Sequence, residues 1–184
     1  MMDRTIPWIN LYMSLDTLDD VPEYPLPERY GWRLYVPGDI GNWSRIETSA
    51  GEFEREADAP AKFRRYFPED EPLKERMLFL TDGGAPFATA TAWYDENDPA
   101  TGMLHWVSID ADHQGQGLSR PLVSLALQRM RGLSHRRAVL KTQTASWVAI
   151  GVYRAFGFRP MLRDPSEREG WRMVSEKTGL DLEV

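Results

Sequence analysis

Residues 104–120 (L-H-W-V-S-I-D-A-D-H-Q-G-Q-G-L-S-R) constrain the fold more than any other stretch, because they combine a strand, a polar turn and a helix start. The first six residues alternate in a way that predicts a strand, with Leu104, Trp106 and Ser108 on one face and the intervening residues on the other. From residue 118 onwards apolar residues recur at helical spacing, and Pro121 suits a first helical turn, where its missing N–H costs nothing. The stretch therefore predicts a strand–loop–helix unit.

Two glycines, Gly115 and Gly117, lie in the turn before the predicted helix. A helix N-terminus leaves about four backbone N–H groups without partners and carries about half a positive charge. Because glycine lets the backbone approach a ligand closely, this turn can hold a phosphate or pyrophosphate, although an ordinary strand-to-helix turn explains the same pattern. Two other phosphate motifs do not fit: Arg120 stands where the Rossmann pattern needs a third glycine, and G-x-x-x-x-G-K-[ST] is absent.

The same loop resembles the acetyl-CoA loop of the GNAT superfamily of N-acetyltransferases, which reads [QR]-x-x-G-x-[GA]. The six positions are occupied here by Gln114, Gly115, Gln116, Gly117, Leu118 and Ser119. Only the last position departs from the pattern, with serine in place of glycine or alanine. The loop alone is a short motif, and a second one strengthens the resemblance.

Residues 146–158 (S-W-V-A-I-G-V-Y-R-A-F-G-F) resemble a second segment of that family, N-x-x-A-x-x-L-Y-x-x-x-G-F. Ser146 replaces the asparagine and Val152 the leucine, while the alanine, tyrosine, glycine and phenylalanine positions match. The two motifs occur in the family's order and at a similar separation. The chain is therefore identified as resembling the GNAT superfamily from about residue 30 to its C-terminus.

The resemblance implies an acetyl-CoA-dependent N-acetyltransferase that moves an acetyl group directly to a primary amine and releases CoA. It implies that pantetheine pairs like an extra strand with residues 107–109, where a backbone N–H polarises the thioester carbonyl. The pyrophosphate would meet the amides of residues 115–120, and Ser146 is shorter than the family's asparagine. The implied cofactor-binding residues are Val107, Ser108, Ile109, Gln114, Gly115, Gln116, Gly117, Leu118, Ser119, Arg120 and Ser146.

Two side chains are candidates for acid–base catalysis. Tyr153 stands where the resembling family has its acid, and a phenol with a pKa of about 10 stays protonated at neutral pH; a core tyrosine is the alternative. His105 is the candidate base, since its ordinary pKa of about 6.5 suits proton abstraction, but a hydrogen-bonded sheet histidine explains it equally. Asp110 or a chain of waters could serve instead, because Lys141 occupies the place where several family members carry a glutamate.

The order of predicted elements is β-α-α-β-β-β-α-β-α-β-β, which predicts a mixed α/β (α+β) sheet of six or seven strands. The resemblance implies that the sheet is mostly antiparallel and flanked by helices. Residues 1–29 contain four prolines and predict an irregular N-terminal arm that packs on the body, and residues 30–184 form the predicted acetyltransferase domain. Residues 95–102 predict a loop, and residues 171–175 a final strand.

Composition limits the other classes of function. The chain of 184 residues has no cysteine and three scattered histidines, so we expect no disulfide and no metal site. It contains no apolar run of 18 residues and no signal-peptide pattern, which favours a cytoplasmic protein. A pI of about 5.1 argues against nucleic-acid binding. We expect no membrane partner, and the family resemblance makes a homodimer plausible.

Charge is unevenly distributed along the chain. The net charge is −6, yet residues 111–160 contain eight lysines or arginines and a single acid, which suggests steering of an anionic cofactor. Solvated helix faces explain these arginines equally well. An acidic linker (Glu52, Glu54, Glu56 and Asp58) hints at a cationic amine as acceptor, although a solvated charged loop explains it at least as well. The alternatives to an enzyme are a non-catalytic acyl-CoA sensor on the same fold, or an interaction protein that uses the N-terminal arm.

Overall fold

The computed structural model of the chain describes residues 3, 5–95 and 97–182. The strands are β1 (Asn10–Leu15), β2 (Tyr30–Leu34), β3 (Met77–Asp82), β4 (Ala85–Asp95), β5 (Asp98–Ile109), β6 (Arg137–Gln143) and β7 (Arg159–Met161). The helices are α1 (Ile40–Ala50), α2 (Ala59–Tyr66), α3 (Leu73–Arg76), α4 (Ser119–Gly132), α5 (Trp147–Ala155) and α6 (Glu167–Thr178). Short 3-10 turns occupy Glu56–Asp58, Ala111–His113 and Thr144–Ser146.

The seven strands form one sheet in the order β2-β3-β4-β5-β6-β1-β7. Strands β5 and β6 are parallel, and the other neighbouring pairs are antiparallel. One face of the sheet packs against apolar residues of α4, α5 and α6, and the opposite face packs against α1 and α2. The prediction of a mixed, mostly antiparallel sheet flanked by helices is confirmed.

The predicted irregular arm contains an interior strand. Strand β1 pairs with β6 on one side and with β7 on the other, and the side chains of Leu11 and Met13 are fully buried. The alternation in N-L-Y-M-S-L predicts such a strand, but the flanking prolines concealed it. The irregular-arm prediction is therefore wrong for these six residues, while residues 1, 2 and 4 of that arm lie outside the described part of the chain.

Strand β1 should contribute strongly to stability, and Met13→Ala tests this. Removing a fully buried methionine side chain leaves a cavity, so we expect the free energy of unfolding to fall by about 2–5 kcal/mol in urea denaturation. Ser14→Ala, on the same strand but half-buried, should change it by less than about 0.5 kcal/mol. Equal effects of the two substitutions would mean that β1 is dispensable for the sheet.

Two further predicted elements are wrong. The predicted loop at residues 95–102 is largely strand, because β5 begins at Asp98 and continues the hairpin; residue 96 lies outside the described chain. The predicted strand at residues 171–175 lies in helix α6, where Glu167, Trp171 and Val174 are buried at helical spacing. The apolar residues of this segment were too few for a period of two to be told from one of 3.6.

Candidate active site

A β-bulge reorders the faces of the central strand. Ser108 pairs with Thr89 and His105 pairs with Thr91, so Trp106 and Val107 together stand opposite Ala90. Trp106 has a φ of 49°, in the left-handed region that non-glycine residues rarely occupy. The extra residue shifts the alternation by one position beyond the bulge.

The bulge places Trp106 on the same face as Ser108 but on the face opposite to Leu104, although all three were predicted to share one face. Leu104 and Val107 pack into the core beneath α4, whereas Trp106 packs against the aromatic core beneath α1 and α2. His105 contacts the ring of Tyr66 from α2 on that same side. The predicted grouping of Leu104, Trp106 and Ser108 on one face is therefore wrong, because strict alternation does not survive a bulge.

The two parallel strands β5 and β6 separate just before the bulge. Their ladder runs along Thr101–Leu104, and in the described residues it ends at the pair Leu104–Leu140. Residues 108 and 109 pair with β4, so the opposite edge of β5 is open where the strands part. An open strand edge can accept an extended chain, which is the arrangement that the predicted pantetheine binding needs.

A cavity of about 550 Å³ lies at this opening. Eight of the thirteen predicted site residues line it: Val107, Ser108, Ile109, Gln114, Gly115, Ser119, Ser146 and Tyr153. The other five, His105, Gln116, Gly117, Leu118 and Arg120, are not among the described residues that line it. The fold thus brings most of both motifs to one cavity.

The glycine loop presents open backbone at the N-terminus of α4. Gly115 and Gly117 have φ values of 75° and 76°, and no heavy atom lies within 4 Å of the position that a Cβ would occupy at either. A side chain added there would fill space in front of a helix N-terminus, where an anionic group is favoured. This part of the loop fits a pyrophosphate held by backbone N–H groups.

The polar and apolar side chains of the same loop have other partners. The amide of Gln114 donates to the carbonyl of Ile109 over 2.8 Å, and Gln116 accepts from the hydroxyl of Tyr30 over 2.7 Å. Leu118 is buried in the core, and the Arg120 guanidinium lies over the ring of Tyr24, 5.5 Å from the ring centroid. Any contribution of Gln114 and Leu118 to phosphate binding would therefore come from the backbone, whereas the exposed guanidinium of Arg120 keeps its N–H donors beside the loop.

Tyr153 is held in a state that suits a proton donor. Its side chain comes from α5, is 8% exposed and lines the cavity. Burial raises the pKa of this phenol well above its ordinary value, and the nearby carboxylates Glu52 and Glu47 raise it further. The hydroxyl therefore carries its proton at neutral pH, as an acid that protonates a leaving thiolate must.

His105 lies in a different environment. Its ring is surrounded by Tyr66, Phe67 and Trp106, with ring centroids 5.1, 5.9 and 5.8 Å away. Burial, and to a smaller extent the charge of Lys141, lower the pKa of this imidazole to about 4. It is neutral at physiological pH, but the structure places it among aromatic rings and outside the lining of the cavity.

Two carboxyl groups near the cavity were not among the site residues predicted from the sequence. Glu52, from the linker after α1, lines the cavity, and partial desolvation at the cavity wall raises its pKa. Glu47, on α1, is fully buried and hydrogen-bonded to Ser108. The sequence carried a signal for Glu47, since Trp43, Ile46 and Glu47 share one stripe of the predicted helix, and a glutamate on a buried stripe is rare without a partner.

The unevenly placed charges do not line the cavity. In the described chain, the cavity lining includes none of the eight lysines and arginines between residues 111 and 160, and only Glu52 of the four linker acids. Several of these arginines have other contacts: Arg131 pairs with Glu23, and Arg137 pairs with Asp98.

Among the helices of the described residues, none has the length and apolar character that a membrane span requires.

Comparison with known proteins agrees with this geometry. A family model described as "Acetyltransferase (GNAT) family" matches residues 41–158. The chain is similar to the mycothiol acetyltransferase of Geodermatophilus obscurus, with 34% identity over 167 residues that cover 87% of this chain and 54% of the relative. It is also similar to that of Cellulomonas flavigena, with 29% identity over 158 residues that cover 79% of this chain and 45% of the relative.

The fold has a counterpart among solved structures. A GCN5-related N-acetyltransferase from Sphaerobacter thermophilus superposes with a TM-score of 0.67 at 19% identity, covering 83% of this chain and 48% of that chain. The chain therefore spans about half the length of the relatives it matches. The family model covers more than half of the chain and includes both motifs. The chain belongs to the GNAT family of acetyltransferases.

Proposed function

We propose that this chain is an N-acetyltransferase that takes acetyl-CoA as donor and a primary amine as direct acceptor, with CoA as product. One observation carries the proposal: a single cavity brings the protonated hydroxyl of Tyr153 to the open edge of β5 and to the glycine loop of α4. Acetyl-CoA would supply an activated acetyl thioester at this place. The protein residues would position the thioester, polarise it and protonate the leaving group.

Each part of the cavity has a role in this proposal. The open backbone of residues 107–109 would hold the pantetheine and polarise the thioester carbonyl. Backbone N–H groups from Gly115 to Arg120 would hold the pyrophosphate, with Ser119 and Ser146 at the cavity wall. Tyr153 would donate its proton to the departing sulfur.

The acceptor would enter beside the linker that follows α1. Glu52 is accessible from the cavity and supplies a carboxyl group there, which favours an acceptor that arrives as a cation. The names of the curated relatives point to mycothiol chemistry, so the unacetylated amine precursor of mycothiol belongs among the acceptors to be tested. Other primary amines, small molecules and peptide N-termini complete the panel.

The proposal is tested by incubating the purified chain with acetyl-CoA and the amine panel. Because the chain has no cysteine, a thiol-reactive dye reports released CoA alone, and mass spectrometry detects the acetylated product of any acceptor that itself carries a thiol. We expect amine-dependent CoA release. Tight binding of acetyl-CoA without release for any amine would indicate the non-catalytic sensor, and neither binding nor release would remove both functions.

A further inference from the structure

A buried carboxyl group lies directly behind the cavity. The side chain of Glu47 is fully buried, and its Oε2 accepts a hydrogen bond from the hydroxyl of Ser108 over 2.6 Å. Its other oxygen, Oε1, has no hydrogen-bond partner among the residues that the structure describes. Burying a carboxyl group with one unsatisfied oxygen is unfavourable, so packing alone does not account for a glutamate at this position.

Ser108 connects this carboxyl group to the reaction site. It lines the same cavity as Tyr153 and Glu52, while its hydroxyl proton is directed to Glu47. A serine hydroxyl has one donor and two acceptor lone pairs. Its oxygen can therefore accept a proton from the cavity at the same time as it donates its own proton to Glu47.

We infer that Ser108 and Glu47 form the proton-accepting side of the acetyl transfer, with Ser108 in contact with the acceptor amine and Glu47 as the final proton acceptor. This inference rests on the proposed function and identifies the residues that deprotonate its acceptor. An acceptor that arrives as an ammonium first releases one proton to solvent. The nitrogen of the neutral amine then forms a bond to the thioester carbon, and its excess proton passes to Ser108 Oγ as the Ser108 proton moves to Glu47 Oε2. The C–S bond then breaks, and the thiolate takes the proton of Tyr153.

The number of protons gained and lost by the site is equal, so the reaction needs no further reactant. Glu47 begins as a carboxylate and ends as a carboxylic acid, while Tyr153 begins as a phenol and ends as a phenolate. One proton then returns from Glu47 to Tyr153 through solvent after the products leave. Glu52, Ser108 and Tyr153 line the same cavity, and Glu47 lies behind it in hydrogen-bond contact with Ser108, so these groups share one site.

The groups around Glu47 determine the pH at which it becomes a base. Its pKa is raised to about 8, mainly by burial; the hydrogen bond from Ser108 opposes this rise and the charge of Glu52 adds to it. Helix α2 contributes Lys62, whose charge acts on Glu52, and α5 contributes the neutral Tyr153. The carboxylate form therefore appears as the pH rises through about 8.

The other charged groups near α1 are either paired with one another or exposed to solvent. At the end of β5, Asp110 pairs with Arg45 of α1 over 3.6 Å and with His113 over 2.7 Å. In the 3-10 turn after α1, Asp58 pairs with Arg55 over 2.8 Å. The neighbouring turn residue Glu56 is exposed, and β4 faces this region with Thr89 and Thr91, which do not titrate.

The test compares the pH dependence of kcat/KM for the wild type and Glu47→Gln. We expect kcat/KM of the wild type to rise through about pH 8 and Glu47→Gln to lose that rise together with about 100-fold or more of the rate. Two acceptors of different pKa separate the enzyme's titration from that of the amine. Ser108→Ala should lose the same rise, and Glu176→Gln, an exposed carboxyl on α6, should behave as the wild type.

A stability measurement tests the buried carboxyl group without any activity. Between the ordinary pKa of about 4.5 and the folded value of about 8, folded Glu47 keeps a proton that the unfolded chain has lost. The wild type should therefore lose stability relative to Glu47→Gln as the pH rises from about 5 to about 8, and the difference should then stay constant. Parallel stability curves for the two proteins across this range would overturn the inference.

The kinetic outcomes separate this inference from the proposed function. An active wild type whose pH dependence is unchanged in Glu47→Gln overturns the role of Glu47 alone. A titration near pH 4 in the kcat/KM profile of the wild type that disappears in His105→Gln would also overturn the role of Glu47, since that result assigns the base to His105. A wild type that releases no CoA with any amine overturns the proposed function, and the proton-accepting role with it.

Discussion

Replacing Tyr153 by phenylalanine should lower kcat by about 10²–10⁴-fold while the Kd for acetyl-CoA changes by less than about threefold. The substitution removes only the hydroxyl of a buried ring that lines the cavity. Without that proton donor, the thiolate must leave unprotonated or wait for water. Single-turnover kinetics and calorimetric titration separate the loss of chemistry from any loss of binding.

Tyr24→Phe is the matched control for this experiment. Tyr24 contacts Phe156 and Arg120 through its ring, and phenylalanine keeps both contacts. We expect this variant to keep wild-type turnover. If Tyr153→Phe also keeps turnover within about threefold, Tyr153 is not the acid, and the leaving thiolate takes its proton from solvent.

Gly117→Val should weaken acetyl-CoA binding by about 100-fold or more. Valine is β-branched, and at a φ of 76° it is strained by about 1–3 kcal/mol, which favours rearrangement of the loop. Its side chain would also enter the open space in front of the helix α4 N-terminus, where the pyrophosphate is proposed to lie. The Kd from calorimetric titration with acetyl-CoA measures the effect.

Gly179→Val separates the strain of a left-handed valine from the loss of the phosphate site. Gly179 has a φ of 68°, has open space around its Cβ position and ends helix α6. The two variants should therefore lose similar stability, while only Gly117→Val loses acetyl-CoA binding. Wild-type affinity in Gly117→Val would mean that the pyrophosphate lies elsewhere.

The parts of the fold that sequence could predict are those with strong local signals. Gly157 follows the end of α5 with a φ of 91°, the left-handed conformation in which a glycine commonly ends a helix. The Asp82-Gly83-Gly84 turn, a sequence typical of hairpins, joins β3 and β4, and α2 (Ala59–Tyr66) ends two residues before Pro68. In each case the determining interaction lies within a few residues along the chain.

Features that depend on distant contacts were not predictable in this way. The bulge at Trp106 depends on pairing with β4, and nothing in the alternating stretch itself marks it. Strand β1 lies in the interior of the sheet because β6 and β7 flank it, more than a hundred residues away. Helix α6 contains Gly170, which brings its backbone close to Leu11 of that strand.

The residues of the candidate site also divide into those that local sequence identifies and those that depend on distant contacts. Both motifs came from local sequence, and the fold brings most of their residues to one cavity. The pairing of Glu47 with Ser108 joins residues 61 positions apart, so no local pattern could predict it. Likewise, the low pKa of His105 follows from an aromatic enclosure contributed by α2 and the bulge.

Calorimetric titration of the wild-type chain with acetyl-CoA, and in parallel with CoA, tests the central claim most directly. We predict micromolar binding of both ligands at one site per chain, in the cavity between β5 and α4. Absence of binding of either ligand would contradict the claim. The open edge of β5 and the glycine loop would then be features of the fold without a cofactor, and the proposed acetyl transfer would be excluded.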